Sequence, residues 1–260
     1  MRGPHQRRKS LKFSVMVEPM AEPRGTGDRT PPQSRRESLI RSYMIVYNLF
    51  SARGWFSVVF NMGLALVGGQ GVNQAVNSTL RMVQTMQLLA TVEFVHVFLG
   101  LVKSNPVNLL MQTGGRDLAL FAVITAIPET RDSPWVLLTF VAWGLSELIR
   151  FPYYSLTLVG QCPPFLHWLR YTAFIVLYPM GFMGELGAWL VGIPHMKASG
   201  LYTIPGLPGG AEIWILYAYL LFAFVFGAPK LYLHMLKQRA KQLRQGSGGG
   251  LGGLSDDKKD

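Results

Sequence analysis

The stretch from Trp168 to Glu185 reads WLRYTAFIVLYPMGFMGE, and its reading decides the fold. It is mostly apolar and of membrane length, yet it carries Arg170, Tyr178 and Glu185. A carboxylate at membrane depth costs on the order of 3 kcal/mol or more, so it marks function more often than stability. Tyr178 and Glu185 stand seven residues apart. On a helix that is about two turns, with a drift of only ~20°, so both face one side. Their backbones lie ~10 Å apart along the axis, and the two side chains can converge on one small reacting group.

The rest of the 260-residue chain agrees with a membrane reading. It is 49% hydrophobic and 12% aromatic, its mean hydropathy is +0.23, and only 15% is charged, against roughly 25% for soluble domains. The net charge of +11 is uneven. Residues 1–42 hold ten Lys/Arg against four acids, and Lys230 to Arg244 adds five basic residues and no acid. Basic ends thus flank an apolar middle, as in cytoplasmic tails of membrane proteins. No basic face with interleaved aromatics points to nucleic acid. A single cysteine, Cys162, excludes an internal disulfide framework and any multi-cysteine zinc site. The first apolar run follows about forty polar residues, unlike a cleaved secretory signal.

Six apolar segments are expected to be helices crossing the bilayer: about 43–67, 81–102, 107–127, 134–159, 165–193 and 213–236. Each is near the ~20 residues a crossing needs, and helices alone satisfy their backbone there. The third is expected to be interrupted at Gly114, Gly115 and Arg116, and the fifth to kink at Pro179. The expected fold is an all-α integral membrane bundle of six transmembrane helices. Residues 1–42 form a disordered basic tail, 43–239 the membrane unit, and 240–260 a flexible Gly-rich tail. Six crossings put both termini on one side, and the basic ends place that side in the cytoplasm. No internal repeat supports an inverted-repeat transporter.

This topology brings Arg116, Arg150 and Arg170 to similar depth on the cytoplasmic side, with Lys103 and His167 near the same level. Converging guanidinium groups suit phosphates. The competing reading is that each pairs locally, as Glu147 with Arg150 three residues on. Glu93 and His96, with Glu147, could be imagined as metal ligands, but their spacing matches no known site and an interhelical hydrogen-bond network fits them better.

WLRYTAFIVLYPMGFMGE resembles the signature of the very-long-chain 3-hydroxyacyl-CoA dehydratases, once called protein-tyrosine-phosphatase-like proteins. YMIVYNLFSARGW at 43–55, LLATVEFVHVFLGLVKS at 88–104, WGLSELIRFPYY at 143–154 and PKLYLHMLKQR at 229–239 match the same family in order. The resemblance makes 43–239 the dehydratase unit. It implies that Tyr178 and Glu185 are the catalytic pair of the YPxGxxGE motif, and that Arg170 is the arginine of WxRY. In the third segment, where members often read QxxSR, this chain reads QTGGR, keeping Arg116 and losing the serine. A Cys-x5-Arg phosphatase loop is absent, since Trp168 stands where its arginine belongs.

The implied reaction is dehydration of (3R)-3-hydroxyacyl-CoA to trans-2-enoyl-CoA, the third step of fatty-acid elongation. One group removes the C2 proton and another protonates the departing C3 hydroxyl. Glu185 as base with Tyr178 as acid, and the reverse, both remain open on the sequence. Elimination involves no net redox change, so no cofactor is expected, and no metal. Arg116, Arg150 and Arg170 are expected to hold the CoA phosphates. The resemblance further implies an endoplasmic reticulum membrane and, as partners, the condensing enzyme, the ketoacyl-CoA reductase and the enoyl-CoA reductase. A non-catalytic scaffold of the same complex and a small transporter are the rival classes.

Overall fold

A computed structural model describes residues 35–102, 104–203 and 211–248. Among the described residues every regular element is helical. Helix α1 spans Arg35–Val67, α2 Val72–Phe98 and α3 Pro106–Asp117, which passes directly into a π-helical stretch, Leu118–Thr125. A 3₁₀ turn, Pro128–Asp132, leads to α4, Pro134–Val159. Then come α5 (Pro164–Arg170), α6 (Phe174–Ser199), α7 (Ala211–Leu221), a second π-helical stretch (Phe222–Gly227) and α8 (Ala228–Gly248). Four helical stretches are long and apolar enough to cross a membrane: Arg35–Val67, Pro134–Val159, Pro164–Ser199 and Ile213–Gln242.

The helix ends follow local chemistry. Asn105 accepts a hydrogen bond from the Val107 N–H and Pro106 opens α3, while Ser133 accepts from Trp135 N–H and Pro134 opens α4. Both are the pairing of side-chain cap and N-terminal proline that satisfies otherwise orphaned donors. Gly160, at φ 77°, ends α4 in the left-handed conformation that only glycine adopts cheaply.

Several boundaries differ from the sequence reading. Helix α1 begins at Arg35, because the polar turn before Tyr43 is itself helix-forming and carries Glu37 at its start. The remainder of the basic N-terminal tail, residues 1–34, lies outside the described residues. So do Lys103, the segment 204–210 and the chain beyond Gly248. Helix α8 continues through 240–248, a stretch with Lys, Gln, Arg and Leu of high helix propensity. Helix α2 starts nine residues ahead of Arg81, where Asn77 Nδ2 donates to Asn73 Oδ1 along the helix. Helix α3 runs unbroken through Gly114 and Gly115. The irregularity in the fifth segment falls at 171–173, between α5 and α6, while α6 continues through Pro179. There, Thr172 N–H donates to Leu169 and Val176 N–H to Ala173, three-residue bonds that replace the α-helical ladder.

Helix α4 is central, packing against α1, α2 and α6. Its Phe140, Trp143 and Phe151 join Trp55, Val58 and Met62 of α1 and Val76 and Val83 of α2 in one buried core. The α4–α6 contact is unusually close. A Cβ on Gly184 would stand 2.5 Å from Thr139 Oγ1 and 2.8 Å from the Thr139 amide nitrogen. Gly187 faces the Trp135 ring in the same way. Small residues at such crossings let membrane helices approach backbone to backbone. Here they bring the Glu185 helix against the Trp143 helix.

Candidate functional site

Helical periodicity builds the site from two facing stripes. On α4, Trp143, Ser146, Glu147 and Arg150 fall at i, i+3, i+4 and i+7, and so share a face. On α6, Tyr178, Gly181, Phe182 and Glu185 do the same. Between them lies a partly open cavity of about 190 Å³, lined elsewhere by Gln87 of α2, Gln112, Thr113 and Arg116 of α3, Arg170 of α5, and Leu231 and Met235 of α8. All five residues singled out from the sequence, Arg116, Arg150, Arg170, Tyr178 and Glu185, line this one cavity.

Glu185 is fixed by a residue the sequence did not single out. Trp143, 1% exposed, donates its indole N–H to Glu185 Oε1 at 2.9 Å. An indole N–H can only donate, so Oε1 is an acceptor and the other carboxyl oxygen is left to take a proton. Tyr178 is held by aromatic packing, edge-on to Phe182 (centroids 4.3 Å apart) and stacked on Tyr232 (5.8 Å). Its hydroxyl is buried and has no hydrogen-bond partner among the described residues, and the same is true of Gln87 Oε1 and Arg170 Nε. Buried polar atoms are nearly always paired. Three unpaired ones lining one cavity point to a polar ligand that completes them.

The arginines divide into two kinds. Arg150 forms a bidentate pair with Glu93 at 2.6 and 2.8 Å and also donates to Glu147. Arg116 donates to Glu147 at 2.6 Å and lies 5.4 Å over the Trp143 ring. The chain Arg116–Glu147–Arg150–Glu93 is therefore charge-balanced and ties α3, α4 and α2 together. Glu93 and Glu147 are engaged by arginine, and His96 Nε2 by the Tyr43 hydroxyl at 2.8 Å, so these three form interhelical bonds. Arg170 differs. Among the described residues it has no carboxylate partner; it donates to Tyr154 Oη at 3.2 Å and lies over the Tyr154 and Tyr171 rings. It brings the one uncompensated charge of the three. His167 sits apart from the cavity against Tyr153 and Tyr171, and Cys162 does not line it either.

The signal for Trp143 and Gln87 was tertiary. Trp143 and Glu185 are 42 positions apart in sequence, and Gln87 sits on α2, outside every quoted motif.

Comparison with known proteins shows the family. A human protein named very-long-chain (3R)-3-hydroxyacyl-CoA dehydratase 2 is 32% identical over 209 residues, covering 79% of this chain and 82% of that protein. Canis lupus familiaris very-long-chain (3R)-3-hydroxyacyl-CoA dehydratase 1 is 30% identical over 227 residues, 84% of this chain and 90% of its own. A Caenorhabditis elegans protein, very-long-chain (3R)-3-hydroxyacyl-CoA dehydratase hpo-8, is 31% identical over 212 residues, 80% and 97% of the two chains. No solved structure matches this chain. Residues 87–245, which contain every residue lining the cavity, match the family described as protein tyrosine phosphatase-like protein, PTPLA, and the chain belongs to that family.

Proposed function

We propose that this chain is a membrane-embedded very-long-chain (3R)-3-hydroxyacyl-CoA dehydratase, carrying out the third step of fatty-acid elongation, with Tyr178 and Glu185 as its catalytic pair. The names of its relatives support the activity. The observation that carries the residue assignment is the unpartnered Tyr178 hydroxyl, buried in the same cavity as the Glu185 carboxyl.

The hydroxyl-bearing carbon and its neighbour enter this cavity. Glu185 takes the C2 proton on the oxygen that Trp143 leaves free. The C2–H electrons form the C2–C3 double bond, the C3–O bond breaks, and Tyr178 gives its proton to the departing hydroxyl, which leaves as water. The Trp143 bond to Oε1 fixes the orientation of the carboxyl and leaves its other oxygen facing the reaction, in this order or in the reverse one. Proton returns from Glu185 to Tyr178 through solvent restore the pair. Elimination is redox-neutral, and its chemistry calls for no cofactor.

Arg170 is the residue best suited to a CoA phosphate, because its charge is not already spent on a carboxylate. Arg116 and Arg150 line the cavity and support the site chiefly by holding α3 and α4 through their carboxylate partners. Phe182, Leu231 and Met235 supply an apolar wall for the start of the acyl chain. In this reading, α2 and the stretch formed by α3 and its π-helical continuation complete six crossings with the four apolar stretches already described. Both termini then face the cytoplasm, the membrane is that of the endoplasmic reticulum, and residues 43–239 are the catalytic unit. The condensing enzyme and the two reductases of elongation are its partners.

Two variants test the reading. Tyr178→Phe removes only the hydroxyl and is expected to lower turnover of a 3-hydroxyacyl-CoA by ~10²–10⁴-fold. Undiminished turnover in this variant sinks the assignment. Arg170→Gln is expected to raise KM for the CoA thioester roughly tenfold or more with kcat little changed, as loss of a charged hydrogen bond does. An unaltered KM means that the phosphates bind elsewhere.

A further inference from the structure

Arg53 lies apart from the cavity. It sits on α1, one of the helices long and apolar enough to cross a membrane, 18 residues after Arg35 and 14 before Val67. At ~1.5 Å per residue it is ~27 Å from one end of the helix and ~21 Å from the other. A hydrocarbon core of ~30 Å laid anywhere along this helix of ~50 Å contains it. Its side chain is exposed on the outside of the bundle. It does not reach back toward the N-terminal end of the helix: Nη1 donates to Ser57 Oγ, one turn further on, at 2.8 Å. Among the described residues no carboxylate pairs with it. One more turn on, Asn61 is also exposed and makes no side-chain hydrogen bond with the described residues. Arg53, Ser57 and Asn61 thus form a polar ridge at i, i+4 and i+8. It is bordered by exposed Phe50, Phe60 and Leu64.

A charged residue at membrane depth normally turns toward the bundle interior or pairs with an opposite charge, and an outward-facing one lacks both. Hydroxyl and amide groups on such a face are the ones that bond across helices. We propose that this face of α1 docks a transmembrane helix of a different protein, one that presents a carboxylate at mid-depth to Arg53. Charge complementarity selects that occupant. Among the described side chains a second copy of this chain offers no exposed carboxylate on a helix: the exposed ones are Glu129 and Asp132, both in the turn before α4. Lipid phosphates lie at the bilayer surface, ~15 Å from the midplane, and are poorly placed for a guanidinium aimed along the helix toward Ser57. The inference rests on α1 crossing the membrane and is independent of the dehydratase chemistry.

The test uses the full chain in phosphatidylcholine vesicles, labelled with a donor dye at Cys162, its single cysteine. The probe is a synthetic leucine-rich transmembrane helix carrying an acceptor dye and Glu, Gln or Leu at its centre. Energy transfer is expected to show the Glu helix associating on the order of tenfold more tightly than the Leu helix. Arg53→Leu is expected to abolish that preference and Arg53→Lys to keep it, while both retain the elution profile and dehydratase turnover of the wild type. Equal association of the three probes, or a preference that survives Arg53→Leu, overturns the proposal. So does loss of the preference when phosphatidylserine is added, which makes Arg53 a lipid site, or Arg53-dependent transfer between copies of this chain. Absence of turnover in the wild type, with its preference for the Glu helix intact, would count against the catalytic reading and leave this one standing.

Discussion

Glu185→Gln is expected to lose at least ~10²–10⁴-fold in kcat, the usual contribution of a positioned general base. Glutamine has nearly the same shape and its amide oxygen still accepts from Trp143 Nε1, so the α4–α6 contact survives. It cannot take up the C2 proton. Because the carboxyl acts in the transition state, kcat and kcat/KM should fall together. The variant is read by steady-state turnover beside the thermal stability of the same preparation. Turnover within a few-fold of wild type, in a protein of unchanged stability, shows that Glu185 does not carry the proton. A comparable loss of stability shows that it serves the fold.

Glu147→Leu is expected to have the largest effect on stability. Glu147 is 4% exposed and accepts from both Arg116 and Arg150, so one carboxylate joins α3 to α4. Leucine is of similar bulk, and its introduction leaves two guanidinium groups with Glu93 as their remaining counter-charge. Removing one member of a buried ionic cluster costs ~3–5 kcal/mol, because the others stay desolvated and uncompensated. The melting temperature in detergent should fall clearly below that of wild type. Glu93→Gln should cost less, since Arg150 keeps Glu147. Equal melting temperatures for Glu147→Leu and wild type contradict the structural role given to this network. A strong loss of CoA affinity without loss of stability would return Arg116 and Arg150 to the phosphate site.

What the sequence disclosed was local. Tyr178 and Glu185 share a face because seven residues make two turns whatever surrounds them, and both line the cavity. The apolar stretches marked most helices, since in a membrane length and composition nearly determine them. Pairing across helices was not legible. Arg150 meets Glu93 across 57 positions, and the choice between a phosphate and a carboxylate depends on which helices touch. The same holds for Trp143, whose indole reads as ordinary core until α6 is laid against it. Helix ends were misjudged where polar residues continue a helix beyond its apolar part, as at Arg35 and Val72. The π-helical stretches at Leu118–Thr125 and Phe222–Gly227 lie in runs whose composition suits an α-helix equally well. Arg53 was overlooked because a basic residue within an apolar run gives no sign of which way it faces.

The most direct measurement is turnover by the purified wild-type chain in vesicles, given a (3R)-3-hydroxyacyl-CoA and no other reactant. The account predicts one trans-2-enoyl-CoA for each substrate consumed, many times per protein molecule. Absence of the enoyl product, from a protein that is intact and inserted, would contradict it and favour a scaffold that keeps the family's residues without its chemistry.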